Sequence, residues 1–323
     1  MSIAQEAEQV LIEESVKIDV ENGRAIANLP FKRHPREYLK DNYHIAFKRL
    51  QNICNKYSKE ESVRSKILES FEKLRKKGHI KHYEDLNAEQ ISILENAKSS
   101  YHIPWDVQFK GNSLSTPLRI VLDASSKTAT GHSLNDILAV GVPNISLLID
   151  IMLDFLMGPV AFVGDVSQFY PSISLSPESW PYQKILIREN IEPNGKLIKA
   201  VIVACIFGVC SSGGQSEEVC RRLSKMVEME FPDVANLLTK SRYVDDILKS
   251  VADSVKAQKI IPETEEVLKK VKMEVKGWAL SNENPPEQLT EDGVSVSIPY
   301  LTWYPKIDCY KLNILSLHFG KKV

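Results

Sequence analysis

Cysteine is scarce in this chain and follows no pattern that binds metal or builds a disulfide framework. The five cysteines stand at positions 54, 205, 210, 220 and 309, an odd and scattered set with no CxxC pair. None lies at zinc-ligand spacing from a histidine, which argues against a structural zinc site. A reduced protein inside the cell is the simplest interpretation.

An excess of charge and a long apolar run are also missing. The 323 residues carry 41 Lys and Arg against 42 Asp and Glu, a net charge of −1, so there is no global signal for nucleic acid. A net charge near zero is still compatible with a local basic surface. Residues 1–20 are acidic and lack an apolar signal core, which argues against secretion. The longest apolar stretches are too short or too interrupted to span a bilayer, so we expect no membrane partner.

The patterns that are present alternate between helices and short strands. Apolar residues recur at helical spacing in residues 43–53 and 67–74, and Gly78 is a stop signal. The Lys and Arg of these helices fit a solvated face or a phosphate-binding face equally well. A further helix is expected before residue 157. Strands are expected in the runs 101–109, 118–122, 161–163, 235–244 and 247–253.

Three carboxylates lie beside these strand-like runs. Asp165 comes at the end of the apolar run 161–163, and Asp245 and Asp246 stand side by side between two runs. If the elements are neighbours in one sheet, the carboxylates converge, and divalent cations would relieve their repulsion. Mg²⁺ is commonly held by one or two carboxylates plus phosphates, and pairs of such ions serve phosphoryl transfer. Alone, the Asp pair fits a solvated turn better, and Asp165 fits a helix N-cap.

The order of the motifs resembles that of reverse transcriptases. YVDD (243–246) resembles their YxDD box, and DVSQFY (165–170) resembles their first carboxylate motif. LRIVLDASSKTATGHSLNDILAVG (118–141) is similar to the fingers segment of BEL/Pao-type LTR retrotransposons. GRAIANLPFKRHP, NYHIAFKRL and EVKGWALSN resemble other segments of the same group. The resemblance covers roughly residues 17–315.

This resemblance implies an α+β fold with the fingers and palm of a polymerase right hand. An antiparallel palm sheet would pack on helices, with the thumb missing or truncated. The implied domains are a lead-in segment of a hairpin and basic helices (1–95), the reverse transcriptase fingers and palm (96–290), and a primer-grip-like hairpin with a truncated C-terminus (291–323). Because the chain ends there, we expect a fingers–palm piece of a polyprotein, a gene model or a domesticated remnant.

The implied activity is that of an RNA-directed DNA polymerase, which adds dNTPs to a primer 3′-hydroxyl by two-metal chemistry in retrotransposon replication. Its partners would be two Mg²⁺ ions (or Mn²⁺), an RNA template, a DNA or RNA primer, dNTPs and other modules of the polyprotein. The implied location is the cytoplasm, within retrotransposon particles. The alternative is a catalytically weak or inactive retroelement-derived remnant that binds nucleic acid. A weaker alternative is an RNA-templated RNA polymerase.

The catalytic roles carry over to the matching positions. Asp165 and Asp245 would be the principal metal ligands, and Asp246 would be the second carboxylate of the box. The backbone of Val166 would complete a metal shell.

The nucleotide and primer roles carry over in the same way. The dNTP-binding residues implied are Arg119, Phe169, Tyr170 and Gly208. The Tyr170 ring would exclude a 2′-hydroxyl, the group that distinguishes RNA from DNA, which argues against an RNA polymerase. The Arg119 guanidinium would reach the triphosphate, and Gly208 would permit close backbone approach. Primer and template contacts are implied for Lys110, Trp303 and Tyr304. For the aromatic residues, the competing interpretation is packing in the hydrophobic core. For Arg119, it is a surface position on a strand.

The sequence departs from the family after Gly208. Gly213 and Gly214 replace a proline region, and Glu217 and Glu218 place negative charge early in a helix. Acidic residues there favour the helix, but they are unfavourable beside a phosphate backbone. The altered segment and the missing thumb favour the remnant, whereas the intact carboxylate set favours a polymerase.

Overall fold

Helices and short strands alternate along residues 2–109, 118–142 and 148–313, which the computed structural model describes. The helices are α1 (Ile3–Ser15), α2 (Pro35–Tyr38), α3 (Tyr43–Lys56), α4 (Glu61–Lys76), α5 (Ala88–Glu95), α6 (Leu134–Ile137), α7 (Leu148–Met157), α8 (Ser211–Val227), α9 (Pro232–Lys240) and α10 (Ser254–Lys269). The strands are β1 (Val16–Asp19), β2 (Arg24–Ala27), β3 (Ile80–His82), β4 (Trp105–Phe109), β5 (Leu118–Leu122), β6 (Val160–Ser167), β7 (Ser174–Leu175), β8 (Lys184–Arg188), β9 (Leu197–Ile202), β10 (Arg242–Tyr243), β11 (Asp246–Val251), β12 (Glu274–Leu280), β13 (Val296–Ile298), β14 (Leu301–Tyr304) and β15 (Cys309–Leu312).

The strands form small sheets in which neighbours are antiparallel, except that β2 and β7 pair in parallel. Their orders are β1-β2-β7, β3-β9-β8, β4-β5, β10-β11-β6-β12 and β13-β14-β15. The expected α+β architecture with small antiparallel sheets is therefore present. Within the described ranges, no helix is long and apolar enough to cross a membrane.

The chain divides into two compact units. Unit 1 comprises Met1–Asn144 and Tyr170–Val219, and unit 2 comprises Ile145–Phe169 and Cys220–Val323. Each unit is built from two separate stretches of sequence. The domain boundaries expected at residues 95 and 290 follow family segments rather than contacts, and they stay a prediction.

Unit 1 has a core in which α3 and α4 contribute apolar faces. Leu50 and Ile53 of α3 and Phe71 of α4 are buried at the spacing that predicted these helices. The Phe71 ring meets the Trp105 ring edge-on, with centroids 4.9 Å apart. Gly78 follows α4 with φ of 76°, a conformation that suits glycine at a helix end, as expected.

Unit 2 is organised around the four-stranded sheet β10-β11-β6-β12. Its core joins Ile151 and Phe155 of α7 to Ala161 and Val163 of β6 and to Trp303 of β14. Apolar side chains that alternate along β6 face this core because successive strand residues point to opposite sides. Strand β6 has a partner strand on each side, β11 and β12.

Two expectations about the strands near the carboxylates are wrong. Residues 235–240 belong to α9, which Pro232 begins, because Val234, Leu237 and Leu238 form one buried helical face. Strand β6 also continues beyond Asp165 to Ser167, since β12 pairs with it there. Asp165 therefore lies within a paired strand rather than at its end.

Candidate active site

The three acidic residues singled out by the sequence come together in unit 2. Strand β11 runs antiparallel to β6, with Asp246 directly opposite Asp165. Residues in such opposite positions have Cα atoms about 4.5–5.5 Å apart. The backbone N–H of Val166 donates to the Asp245 carbonyl at 2.8 Å. Two segments far apart in sequence are thus joined where the sequence predicted, while the catalytic and metal roles of their residues stay predictions.

The connection that carries Asp245 is strained. Tyr243 pairs with Asp246, which leaves Val244 and Asp245 as a two-residue hairpin loop. Val244 has φ of 56°, and a β-branched residue in this left-handed region is a genuine outlier. Such strain costs about 1–3 kcal/mol and persists only where the surroundings hold it, commonly at functional sites.

A buried arginine holds this loop. Arg242 is only 4% exposed, its Nε donates to the Leu238 carbonyl at 3.2 Å, and its Nη1 donates to the Val244 carbonyl. The guanidinium lies over the Phe169 ring, 5.0 Å from the centroid. A short apolar run with one arginine at its start was the available signal, and no role was predicted for Arg242.

Burial and like charges act on the pair of aspartates in the box. Burial raises the pKa of Asp246 to about 7, and the charges of Asp245 and Asp165 add to the effect. Burial also raises the pKa of Asp245, with a further contribution from Asp165. The cluster therefore resists holding all its negative charge at once, and a nearby cation stabilises its ionised form.

One such cation is Lys276 of the EVKGWALSN segment, for which the sequence predicted no role. Lys276 Nζ lies 2.7 Å from Oδ1 and 2.8 Å from Oδ2 of Asp165. Only Oδ2 receives a well-directed hydrogen bond, and Oδ1 is buried without one. The contact depends on the register of β12 against β6, which no local pattern specifies.

The donor chemistry of the site fits a hard divalent cation. Carboxylate oxygens are the ligands of Mg²⁺, which commonly takes one or two of them and completes its shell with water and substrate phosphates. The buried Oδ1 of Asp165 and the raised pKa values of Asp245 and Asp246 are features that such an ion would relieve. Across the part of the chain that the structure describes, no group of three or more His, Cys, Asp or Glu is spaced to hold a metal ion. Metal binding here is therefore a proposal.

Two residues expected to bind nucleotide lie on partly open surfaces of unit 1. The Tyr170 ring meets the Phe207 ring edge-on, with centroids 4.5 Å apart, and Phe207 is 65% exposed. Arg119 is exposed on β5, opposite Gln108 of β4. Phe169, in unit 2, is instead buried beneath Arg242. Their nucleotide contacts stay predictions.

Gly208 is required by the chain's own backbone. Its φ is 98°, and a Cβ there would lie 2.3 Å from the Leu122 carbonyl oxygen. The Asn135 amide donates to the Gly208 carbonyl at 2.9 Å and also binds the Cys210 N–H through its oxygen. The glycine was expected for close approach of a nucleotide, and the structure supplies a reason within the fold itself.

Gly214, one of the two glycines in the altered segment, also has a local reason. Helix α8 begins at Ser211, before Gly213 and Gly214. A Cβ at Gly214 would lie 2.5 Å from the Val140 carbonyl oxygen, so a larger residue would push the helix away.

The residues expected to contact the primer differ in how deeply they are buried. Lys110 lies outside the described residues. Trp303 is 0% exposed, and its Nε1 donates to Asp308 at 3.0 Å, so its ring belongs to the core of unit 2. Tyr304 is half-buried on β14 opposite Cys309. The Trp303 ring is therefore not at the surface, and the primer contacts of this hairpin stay a prediction.

Comparison with known proteins supports the fold. No family model matches this chain, and no curated protein matches it. Among solved structures, it is similar to a foamy viral protease-reverse transcriptase in complex with an RNA/DNA hybrid, with a TM-score of 0.51 and 14% identity. The match covers 94% of this chain and 36% of that one, so the chain spans about a third of the length of its structural relative. Likeness at this identity shows a reverse transcriptase-like α+β fold and no more.

Proposed function

We propose that this chain is an RNA-directed DNA polymerase domain of a BEL/Pao-type LTR retrotransposon. The observation that carries the proposal is the pairing of β6 with β11, which sets Asp165 opposite Asp246 and beside Asp245. The fold likeness supports a polymerase of the reverse transcriptase type. The BEL/Pao assignment depends on sequence resemblance alone, at residues 23–35, 42–50, 118–141 and 274–282.

In this proposal the carboxylates of unit 2 form the catalytic centre. Asp165 and Asp245 would hold two Mg²⁺ ions, with Asp246 and the backbone of Val166 completing the site. When bound, the ions activate the attacking primer hydroxyl and stabilise the leaving pyrophosphate. Arg242 holds the backbone of the strained loop through the Val244 carbonyl, which restricts the positions open to the Asp245 carboxylate. A rigid carboxylate loses little entropy on binding an ion.

The other partners follow from the same proposal. Unit 1 contains the segments that resemble the fingers, so Arg119 and Tyr170 would bind the dNTP, and unit 2 contains the hairpin that would contact a primer. The template would be RNA and the primer DNA or RNA. A cytoplasmic location within retrotransposon particles stays a prediction.

A primer-extension assay tests this function. The folded chain is supplied with a primed RNA template, labelled dNTPs and Mg²⁺, and is compared with Asp245→Asn. We expect extension by the wild type and a loss of about a hundredfold or more in the variant. Asp150→Asn, which changes an exposed aspartate of α7, is the matched control and should extend normally.

The outcomes separate the two functions considered from the sequence. No extension by a folded wild type contradicts the polymerase. If that protein still binds the primed template in a gel-shift assay, the nucleic-acid-binding remnant becomes the better description.

A further inference from the structure

A positively charged side chain already contacts the carboxylate site of unit 2. Lys276 Nζ lies within 2.8 Å of both oxygens of Asp165, although the lysine side chain is still 43% exposed and that of Asp165 is 26% exposed. An exposed lysine pays little desolvation and keeps its freedom to move away. The contact is therefore close but can be broken without unfolding the sheet.

An irregularity in the sheet directs this lysine to Asp165. Val275 pairs with Val166 and Trp278 pairs with Gly164, so Lys276 and Gly277 together stand opposite Asp165. This arrangement is a β-bulge, a device that redirects a side chain and is common beside active sites.

The bulge is anchored by the tryptophan that follows it. A Cβ on Gly164 would lie 2.5 Å from the Trp278 ring, so the ring occupies the space that the glycine leaves. The Trp278 Nε1 donates to Glu265 of α10 at 3.0 Å. These contacts fix the register of β12 and hence the position of Lys276.

The charges around Asp165 do not balance. Asp245 and Asp246 lie beside it, and burial raises the pKa of both, while the charge of Lys276 opposes that rise. Arg242 also favours the ionised form of Asp245. Lys276 is thus a cation in direct contact with Asp165, at the oxygens that an incoming ion would need.

We propose that Lys276 is an exchangeable counter-ion that competes with a divalent cation for Asp165 and so weakens the site's affinity for that cation. The inference rests on the proposed function, because it takes Asp165 as a metal ligand. Without a divalent ion, the ammonium stabilises the carboxylates. When a hard divalent cation binds Asp165, the Lys276 side chain turns into solvent. Two cations cannot share these oxygens without strong repulsion.

A Mn²⁺ titration of the full chain tests the competition, with free Mn²⁺ followed by its EPR signal. We expect Lys276→Met to bind the Asp165-dependent ion roughly tenfold more tightly than the wild type, because one opposing charge is removed. Lys276→Arg keeps the charge and should bind like the wild type. The matched control is Lys249→Met, which removes a lysine with the same 2.7 Å ion pair, to Asp154, on neighbouring strand β11. It should leave the affinity unchanged.

Thermal unfolding in EDTA supplies a second measurement. In EDTA, Lys276→Met should have a lower Tm than the wild type. When Mn²⁺ replaces EDTA, the Tm of the variant should rise by more than the Tm of the wild type. Lys276→Gln, with a polar group in place of the ammonium, serves if the Met variant folds poorly.

The failures of the two proposals are distinguishable. Equal or weaker Mn²⁺ binding by Lys276→Met, with binding that Asp165→Asn abolishes, overturns the counter-ion role alone. Mn²⁺ binding that is absent, or unaffected by Asp165→Asn, overturns the metal site and the counter-ion role together.

Discussion

At the scale of single residues, the buried guanidinium of Arg242 connects packing to the site. It binds the carbonyls of Leu238 and Val244 and stacks on Phe169, and so it spans the helix end, the strained loop and the segment after Asp165. A lysine cannot reproduce this planar set of donors. The geometry of Asp245 therefore depends on a residue that has no place in the carboxylate motif itself.

Arg242→Lys should destabilise the protein by about 2 kcal/mol, because buried hydrogen bonds to a charged group are lost. The shift of the urea unfolding midpoint measures the change. Arg119→Lys, on the exposed face of β5, should change the free energy of unfolding by less than about 0.5 kcal/mol. Equal effects of the two substitutions would show that Arg242 does not hold the loop.

Asp246 gives the site a characteristic pH dependence. Its pKa rises from an ordinary value of 3.8 to about 7 in the folded protein. The folded state therefore binds the proton more tightly than the unfolded state, and this stabilisation is complete below about pH 4 and is lost as pH rises through about 7. In EDTA, Asp246→Asn should remove that loss, so the variant gains stability relative to the wild type as pH rises. A Tm difference that stays constant between about pH 4 and 8 would contradict the raised pKa.

At the scale of elements, the end of β5 and the loop before α8 constrain each other through Gly208. Positive φ alone costs a non-glycine residue about 1–2 kcal/mol. The Leu122 carbonyl, 2.3 Å from the Cβ position, adds a clash with backbone that cannot move aside cheaply.

Gly208→Ala should therefore cost about 3 kcal/mol or more, measured by urea unfolding. Gly78→Ala is the matched control, because Gly78 has φ of 76° but nothing within 4 Å of the Cβ position. It should cost only the conformational part, about 1–2 kcal/mol. If both substitutions cost the same, the close approach of β5 does not matter.

At the scale of the whole molecule, a buried histidine contributes to the response to pH. The net charge is −1, so self-repulsion of the chain is small. Burial lowers the pKa of His102 from 6.5 to about 4, and Lys184 adds to the effect. Because the unfolded state binds this proton more tightly, the stabilisation is complete above about pH 6.5 and is lost as pH falls through about 4.

His102→Phe keeps a ring against Tyr43, whose centroid lies 5.3 Å away, and removes the titration. We expect the variant to lose less stability than the wild type between about pH 6.5 and 4, as measured by Tm. Asp246→Asn should change the profile in the opposite sense, at higher pH. If the wild type and His102→Phe lose the same stability between about pH 6.5 and 4, groups other than His102 cause that loss.

The sequence by itself determined the parts of this protein that depend on local chemistry. Helical periodicity predicted α3 and α4, Gly78 marked a helix end, and the YVDD segment was identified as a hairpin loop that carries carboxylates. Each depends on spacing along the chain, which a reader of the sequence can see. The helix at 235–240 was missed because its short apolar run fits both periods.

Only the tertiary structure decided the strand register at the site and added Lys276 to the three predicted carboxylates. The register of β6 against β11 and β12 places Asp246 and Lys276 at Asp165, and the burial of Trp303 removes its ring from the surface. A shift of one residue in any of these pairings would point the side chains to the opposite face of the sheet. That register is set by packing between distant segments, such as Trp278 on Gly164, and local sequence patterns carry no record of it.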